Sequence, residues 1–343
     1  MKKLLVVAVL VFIASINVVE AQSCTPGPLR PGVTVPYTYA VTISAINGYT
    51  DSGNFSWYVT TNPNIISGAE VPSTGSVITI GSGLTYGKTS LAAGQKSIII
   101  TWSPEAIALA AINPYYLVVK YGQNNGTCSA SNIKVWKISP LNSFLLSIEA
   151  VDNTGAAASG IYCAADITGI IINPTDDKAA YTYGENTFYS KVTASNIAGE
   201  WTPSVKIPTL NAGQTIKELG WSTTISGTYT AFPDAANSTG GEFTSSVKAT
   251  VAADGSLPIY IKLIISNGTY EGSSDQNVNI AIDGIYSTEL LKDVKSSTDC
   301  TEEAAFGKMV TQTIKARPEI VTNTPSGSPL AVPTAPSTNF LVP

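Results

Sequence analysis

Four cysteines, Cys24, Cys128, Cys163 and Cys300, carry the most definite chemistry in this chain. An even number of thiols in an exported protein reads as a disulfide set. Three pairings are open. Sequential pairing, Cys24–Cys128 and Cys163–Cys300, is the expected one, because it closes one long loop in each half; each closure would contribute up to about 4–5 kcal/mol through the entropy of the unfolded chain. Zinc is not expected, since no two cysteines are close in sequence and the chain has no histidine. The lack of histidine also excludes a Ser-His-Asp triad, a Cys-His pair and every His-ligated metal. No glycine motif of the phosphate-binding kind precedes a helix. Two carboxylates could serve a glycosidase. The candidates Asp152, Asp166, Asp176 and Asp177 stand in turn-like contexts, however, and read as turn formers. Asp176-Asp177 lacks the further oxygen ligands that Ca²⁺ would need. No catalytic, cofactor-binding or metal-ligating residue is assigned, no cofactor is implied, and the chain is not expected to be an enzyme.

Aromatic side chains are the remaining candidates. Trp57, Trp102, Trp136, Trp201 and Trp221 could line a sugar-binding face, but sandwiches bury aromatics in their cores. Trp57 and Trp102 are therefore assigned to a core. Trp201 lies between Gly199-Glu200 and Pro203, a turn-like setting, and is the candidate contact residue. A second candidate is the apolar triplet Phe340-Leu341-Val342, which closes an otherwise polar, proline-rich segment.

The elements that must position these residues are strands. Apolar residues make up 44% of the chain, charged residues only 13%, and the net charge is -5. Abundant Thr, Val and Ile with Gly and Asn turns is the composition of sheet. So few cations would neutralise no phosphate backbone, which excludes nucleic acid. In the first half, Tyr37–Ser44, Asn54–Thr60, Ser76–Ile80, Lys96–Trp102, Tyr115–Tyr121 and Asn132–Ile138 read as strands, with a short helical stretch at Glu105–Ala111 and a hairpin turn at Asn125-Gly126. Lys134 and Lys137 fall on opposite faces of their strand, which suits a sheet edge. In the second half the strands are Phe144–Val151, Gly160–Ile172, Thr187–Asn196, Ser204–Ile207, Thr215–Trp221, Gly227–Phe232, Ser245–Ala252, Ile259–Ser266, Gln276–Ile282 and Lys308–Ala316. A short helix is expected over Ser287–Lys295. No long segment holds a helical period, so the fold class is all-β.

Lys2-Lys3, the apolar run Leu4–Ile16 and the small residues around Ala21 form a signal peptide over residues 1–21. The run is too short for a comfortable span, and no later stretch reads as transmembrane. Residues 22–140 and 141–317 then read as two tandem β-sandwiches, the second larger, joined by a stiff junction near Leu141-Asn142. Residues 318–343 form a Pro/Ser/Thr-rich tail of extended character.

The end of the first half carries a recognisable layout: Ser97-Ile98-Ile99-Ile100-Thr101-Trp102, then Tyr116–Tyr121, then Gly126-Thr127-Cys128, then Lys134-Val135-Trp136-Lys137. This resembles the second half of PKD-type and related immunoglobulin-like domains in surface proteins of the Bacteroidetes. The run from Cys300 through Thr311–Pro318 resembles the close of such a domain. The resemblance covers the last third or so of each half and implies an exported surface protein, an adhesin, a spacer or an appended module. The sorting domain such proteins often carry is not evident in the tail. The expected function is a secreted, non-catalytic structural protein, a subunit or spacer of an extracellular filament, sheath or layer. Its partners would be copies of itself, other surface proteins or glycans, met through sheet edges and the extended segments Ser23–Pro36 and Ala331–Val342. The alternative is an adhesin or carbohydrate-binding module.

Overall fold

The alternating segments do form strands. The structure, a computed structural model, describes residues 24–44, 49–124, 126, 129–173, 178–286 and 291–318. In the first half, β1 (Pro36–Ala40), β2 (Asn54–Thr60), β3 (Ile78–Ile80), β4 (Ala92–Ala93) and β5 (Ser97–Trp102) precede the helix α1 (Glu105–Ala110); β6 (Tyr115–Asn124) and β7 (Ser129–Ile138) follow it. They build two sheets, β1-β5-β3 and β4-β2-β6-β7. Phe55, Trp57 and Val59 of β2, Ile98, Ile100 and Trp102 of β5, and Leu117 of β6 fill the space between them and are wholly buried. Each such side chain contributes about 1.5–3 kcal/mol by leaving water. The polar atoms they bring in are satisfied. Trp57 Nε1 donates to the Gln95 carbonyl at 2.8 Å, and Trp102 Nε1 to Tyr39 Oη at 3.3 Å. The opposite face of β2 is covered too: Tyr58 lies buried and donates its hydroxyl to the Ile65 carbonyl.

The second half contains β8 (Leu145–Val151), β9 (Ile161–Tyr162), β10 (Ile167–Asn173), β11 (Lys178–Ser195), β12 (Gly199–Ile207), β13 (Thr215–Ser222), β14 (Thr230–Ala231), β15 (Gly241–Thr244), β16 (Ala249–Val251), β17 (Ile259–Gly268), β18 (Gln276–Tyr286), β19 (Leu291–Lys292), β20 (Val294–Ser296), β21 (Asp299–Glu302) and β22 (Lys308–Ile314). One sheet runs β10-β11-β17-β13-β14, with β8 also on β11. The other runs β15-β12-β18-β22-β9, with β16 on β12 and β19 on β18. β17 shows why the sequence folds this way. Ile259, Ile261, Leu263 and Ile265 point into the core while Tyr260, Lys262, Ile264 and Ser266 are only partly covered, the two-residue period of a half-buried strand. No named strand of residues 36–138 pairs with one of residues 145–314 among the described residues. The expected helix over Ser287–Lys295 is not there: Leu291–Lys292 and Val294–Ser296 are strands, and residues 287–290 lie outside the described set.

The first and second halves are tied by the segment ahead of β1. Leu141 donates to the Pro31 carbonyl and accepts from Val33. Ala198 N–H donates to Thr34 Oγ1 at 2.9 Å. Cys24 forms a disulfide with Cys300, with Cα atoms 5.2 Å apart, and its N–H donates to the Ser297 carbonyl. This bridge replaces both expected pairings. Cys24 meets Cys300 because the leading segment runs past its own sheets to the β20–β21 hairpin. Cys163 is a free, exposed thiol, and Cys128 lies outside the described residues. The leading segment is likewise no free donor strand, since Val33 is wholly buried in the first core.

Candidate interaction surface

The residues with chemical potential are dispersed. Asp152 is a turn former: its Oδ1 accepts from Thr154 N–H, Thr154 Oγ1 and Ala156 N–H at 2.6–3.0 Å, and these bonds hold the carboxyl below its usual range. Asp166 gives its backbone carbonyl to Gly184 N–H, and Asp176-Asp177 lies outside the described residues. Among the described residues, no group of three or more His, Cys, Asp or Glu side chains could hold a metal ion. One acid is buried. Asp293 is 2% exposed, its Oδ2 finds no partner among the described residues, and desolvation, with Asp283 adding to it, pushes its pKa up to about 7. It sits beside the salt-bridged pair Lys308–Glu303 rather than opposite a second acid in a cleft.

Trp201 is not a contact residue. It is 1% exposed, inside the second core, packed edge to face on Phe144 at 6.0 Å and lying over Gly284. The turn-like flanks misled because β12 accommodates them. Gly199 opens the strand, and Pro203 falls where the two strands on its outer side, β16 on residues 199–201 and β15 on 204–207, leave a gap. Phe340, Leu341 and Val342 lie outside the described residues.

What the structure offers in their place is an arm. β11 is long because it serves three partners: β17 along residues 183–192, β8 along 189–195 and β10 along 178–183. Among the described residues only β10 accompanies it beyond Tyr183, so residues 167–173 and 178–182 project from the sandwich as a two-stranded ribbon. β10 reads Ile167-Thr168-Gly169-Ile170-Ile171-Ile172-Asn173, without a charge. Ile167, Ile170, Ile171 and Ile172 are 44%, 58%, 72% and 50% exposed. Because successive side chains alternate, Ile171 crowns one face while Ile170 and Ile172 crown the other. A strand apolar on both faces belongs inside a protein; among the described residues this one has no strand on its outer edge. At its foot lie exposed Ile161 and the free Cys163, and the Asn186 amide holds the Cys163 carbonyl at 2.9 Å. Arg317 closes the same corner. Its guanidinium lies 4.5 Å from the Tyr183 ring centre and donates to the Ala165 carbonyl. Sequence reasoning saw Gly160–Ile172 as one strand; the triple isoleucine was the signal, but a buried run and an exposed one look alike in sequence.

On the other side of the Lys315–Arg317 stretch, where Asp275 accepts from Lys315 and Ala316, a polar cleft of about 250 Å³ is lined by Pro208, Asn211, Tyr270, Asp275, Gln276 and Asn277, among others. Behind it, Gln214 bridges Asn267 and Gln276 at 2.7–2.9 Å, and Asn267 reaches Asn186 at 2.9 Å. These amides satisfy one another in the interior, as buried polar groups must.

No known protein family matches the chain, and neither does any curated protein. Solved structures do resemble it. BcpA, the major pilin subunit of Bacillus cereus, is 10% identical, with 76% of this chain and 83% of that one covered and a TM-score of 0.30. The C-terminal domain of the Streptococcus agalactiae AgI/II polypeptide BspA is 8% identical over 84% and 95%, at 0.26. The S. aureus collagen adhesin is 12% identical over 84% and 90%, at 0.21. The scores are too low to establish a shared topology.

Proposed function

We propose that this protein is a secreted, non-catalytic surface protein, a subunit or spacer of an extracellular filament, sheath or layer. It would comprise two tandem immunoglobulin-like sandwiches, residues 22–140 and 141–317, with a tail over 318–343. The partial likeness of residues 97–138 to PKD-type domains supports the same reading. The observation that carries it is the projecting β10–β11 arm, with four exposed isoleucines on a charge-free strand. Exposed apolar area of this kind marks a place of association, and a contact between one subunit's arm and a different patch on the next would propagate rather than close. The Phe340-Leu341-Val342 tip is the second element of the contact. Deleting Pro325–Pro343 tests this: negative-stain electron microscopy and light scattering should show assembly lost or shortened. Assembly unchanged from the full chain would make the tail a passive linker.

The polar cleft favours a second reading, a glycan-binding module, because Asn, Asp and Tyr at an open rim suit sugar hydroxyls. Glycan-array binding without self-association would select it.

A further inference from the structure

The outer face of β18 and β22 carries a row of cross-strand side-chain pairs. Val278 and Ile280 of β18 enter the second core, so Asn277 and Asn279 lie on the opposite face and are exposed. Their partners on β22 are Thr313 and Thr311. Thr313 Oγ1 donates to Asn277 Oδ1 and Thr311 Oγ1 to Asn279 Oδ1, both at 2.9 Å. Next to them, Lys315 Nζ donates to Asp275 Oδ2 at 2.6 Å. The two amide rungs stand about 7 Å apart, the rise of two strand residues. In each, threonine takes the amide oxygen, and the Asn Nδ2 has no protein partner among the described residues. The row does not end on the sheet. Asp275 and Asn277 also line the polar cleft, with Asn211 and Tyr270. Apolar side chains border the rest. Met309, 54% exposed, follows Thr311 on the same face of β22, and Ile161 of β9, 58% exposed, stands beside Thr313. The cleft thus opens onto a flat track in which hydroxyl-binding groups run between apolar neighbours.

We propose that this track binds a neutral, linear glycan lengthwise, with one sugar ring in the cleft and the following rings along the Asn–Thr rungs. The inference rests on the glycan-binding reading and names its ligand class and the extent of its site. Three observations choose the occupant. A pyranose ring has hydroxyls at its rim and C–H groups on its faces; the track meets the first with amide donors and threonine oxygens and the second with Met309 and Ile161. The charges on the face are already paired: Lys315 with Asp275, and Lys206, opposite Ala281 on β12, with Glu242. No cation is set aside for a uronate or sulfate, and the net charge of -5 repels a polyanion. The rungs repeat along the strands, which matches a repeating polymer better than a single small molecule.

The test titrates the full exported chain with cello-, manno- and chito-oligosaccharides, each as mono-, di- and tetrasaccharide, and with hyaluronan tetrasaccharide as the acidic counterpart. Followed by NMR, at least one neutral series should bind roughly tenfold tighter as tetrasaccharide than as monosaccharide, because the longer chain makes further hydrogen bonds; hyaluronan should not bind. Asn279→Val with Thr311→Val removes one exposed rung and keeps strand-forming residues in its place. It should weaken the tetrasaccharide roughly tenfold and leave the monosaccharide unchanged. Asn211→Ala, in the cleft, should weaken both. Equal affinity for short and long sugars, tetrasaccharide binding that survives the double variant, or binding of hyaluronan alone overturns the lengthwise neutral ligand and leaves the glycan-binding reading standing. A double variant that lowers only the unfolding midpoint makes the rung a sheet-stabilising pair and overturns the track. No binding of any sugar in the set overturns the glycan-binding reading, and this inference with it.

Discussion

β7 and β10 are both outermost strands of a sheet, and they differ in almost everything else. β7 carries Lys134 and Lys137, one to each face, and its outer half is polar and exposed. A charge on an edge must be desolvated before another strand can pair, so β7 stays single. β10 carries no charge and three consecutive isoleucines. Among the described residues no strand lies on its outer side, so this apolar edge is left open to pairing. The first half repels company by composition; the second half presents an uncharged apolar edge that invites it.

The largest expected effect separates the bodies that carry these edges. Trp201→Ala removes a wholly buried ring from the second core and should cost about 3–5 kcal/mol there. Urea unfolding should become two transitions, the later one retaining the near-ultraviolet signal of Trp57 and Trp102. A single transition shifted as a whole would show that the halves unfold as one unit, and the contrast between edges would then be one within a single body.

A change of pH sharpens the same separation. Asp293, beside the junction, has a pKa near 7 when folded, above its ordinary value. The folded chain thus holds a proton that the unfolded chain releases. The stability this lends is complete below about pH 4 and is lost as pH rises through about 7, by at most about 4 kcal/mol. Exposed carboxylates such as Asp152 and Asp275 are shifted the other way, and their contribution falls only in more acid solution. Asp293→Asn should flatten the profile of midpoint against pH between 4 and 8. A slope preserved in the variant would assign the dependence to other groups.

The smallest effect on stability is the most direct exchange between the edges. Ile171→Lys gives β10 the guard that β7 has, and because Ile171 is exposed the fold should change by no more than about 0.5 kcal/mol. Light scattering should show assembly reduced by tenfold or more. Lys134→Ile with Lys137→Ile should do the reverse and produce new, irregular aggregates through β7. If neither exchange alters association, edge composition is not what distinguishes the two strands.

Much of the sheet structure was legible. Asn54–Thr60 and Ile259–Ser266 alternate so regularly that strand and inward face follow from the period alone. The first part of β11, Ala179-Ala180-Tyr181-Thr182-Tyr183-Gly184, was not, because alanine and glycine are poor strand formers and only the pairing with β10 holds them extended. Trp201 was misread for a related reason: glycine and proline signal turns locally, while the gap that admits Pro203 exists only once β15 and β16 are in place. The disulfide could not be read, since four cysteines allow three connectivities and sequence order does not rank them. The arm's exposure is likewise a property of the sheet, set by where β17 stops at Gly268.

The Cys24–Cys300 bridge spans 276 residues of sequence, and nearly everything described here lies inside that loop. Its gain in stability, up to about 5 kcal/mol in the chain-entropy picture, is one side of the matter. The other is mechanical. A pull between Cys24 and the residues after β22 runs through two sulfur atoms into Cys300 and on through β22, so the first sandwich hangs beside that line while the second is loaded through this one strand. The enclosed residues, about 900 Å of chain if drawn straight, are withheld from extension until the bond is reduced. Under tension the molecule would act as a short link with the first sandwich as its passenger and the second held by the pairing of β22 with β18.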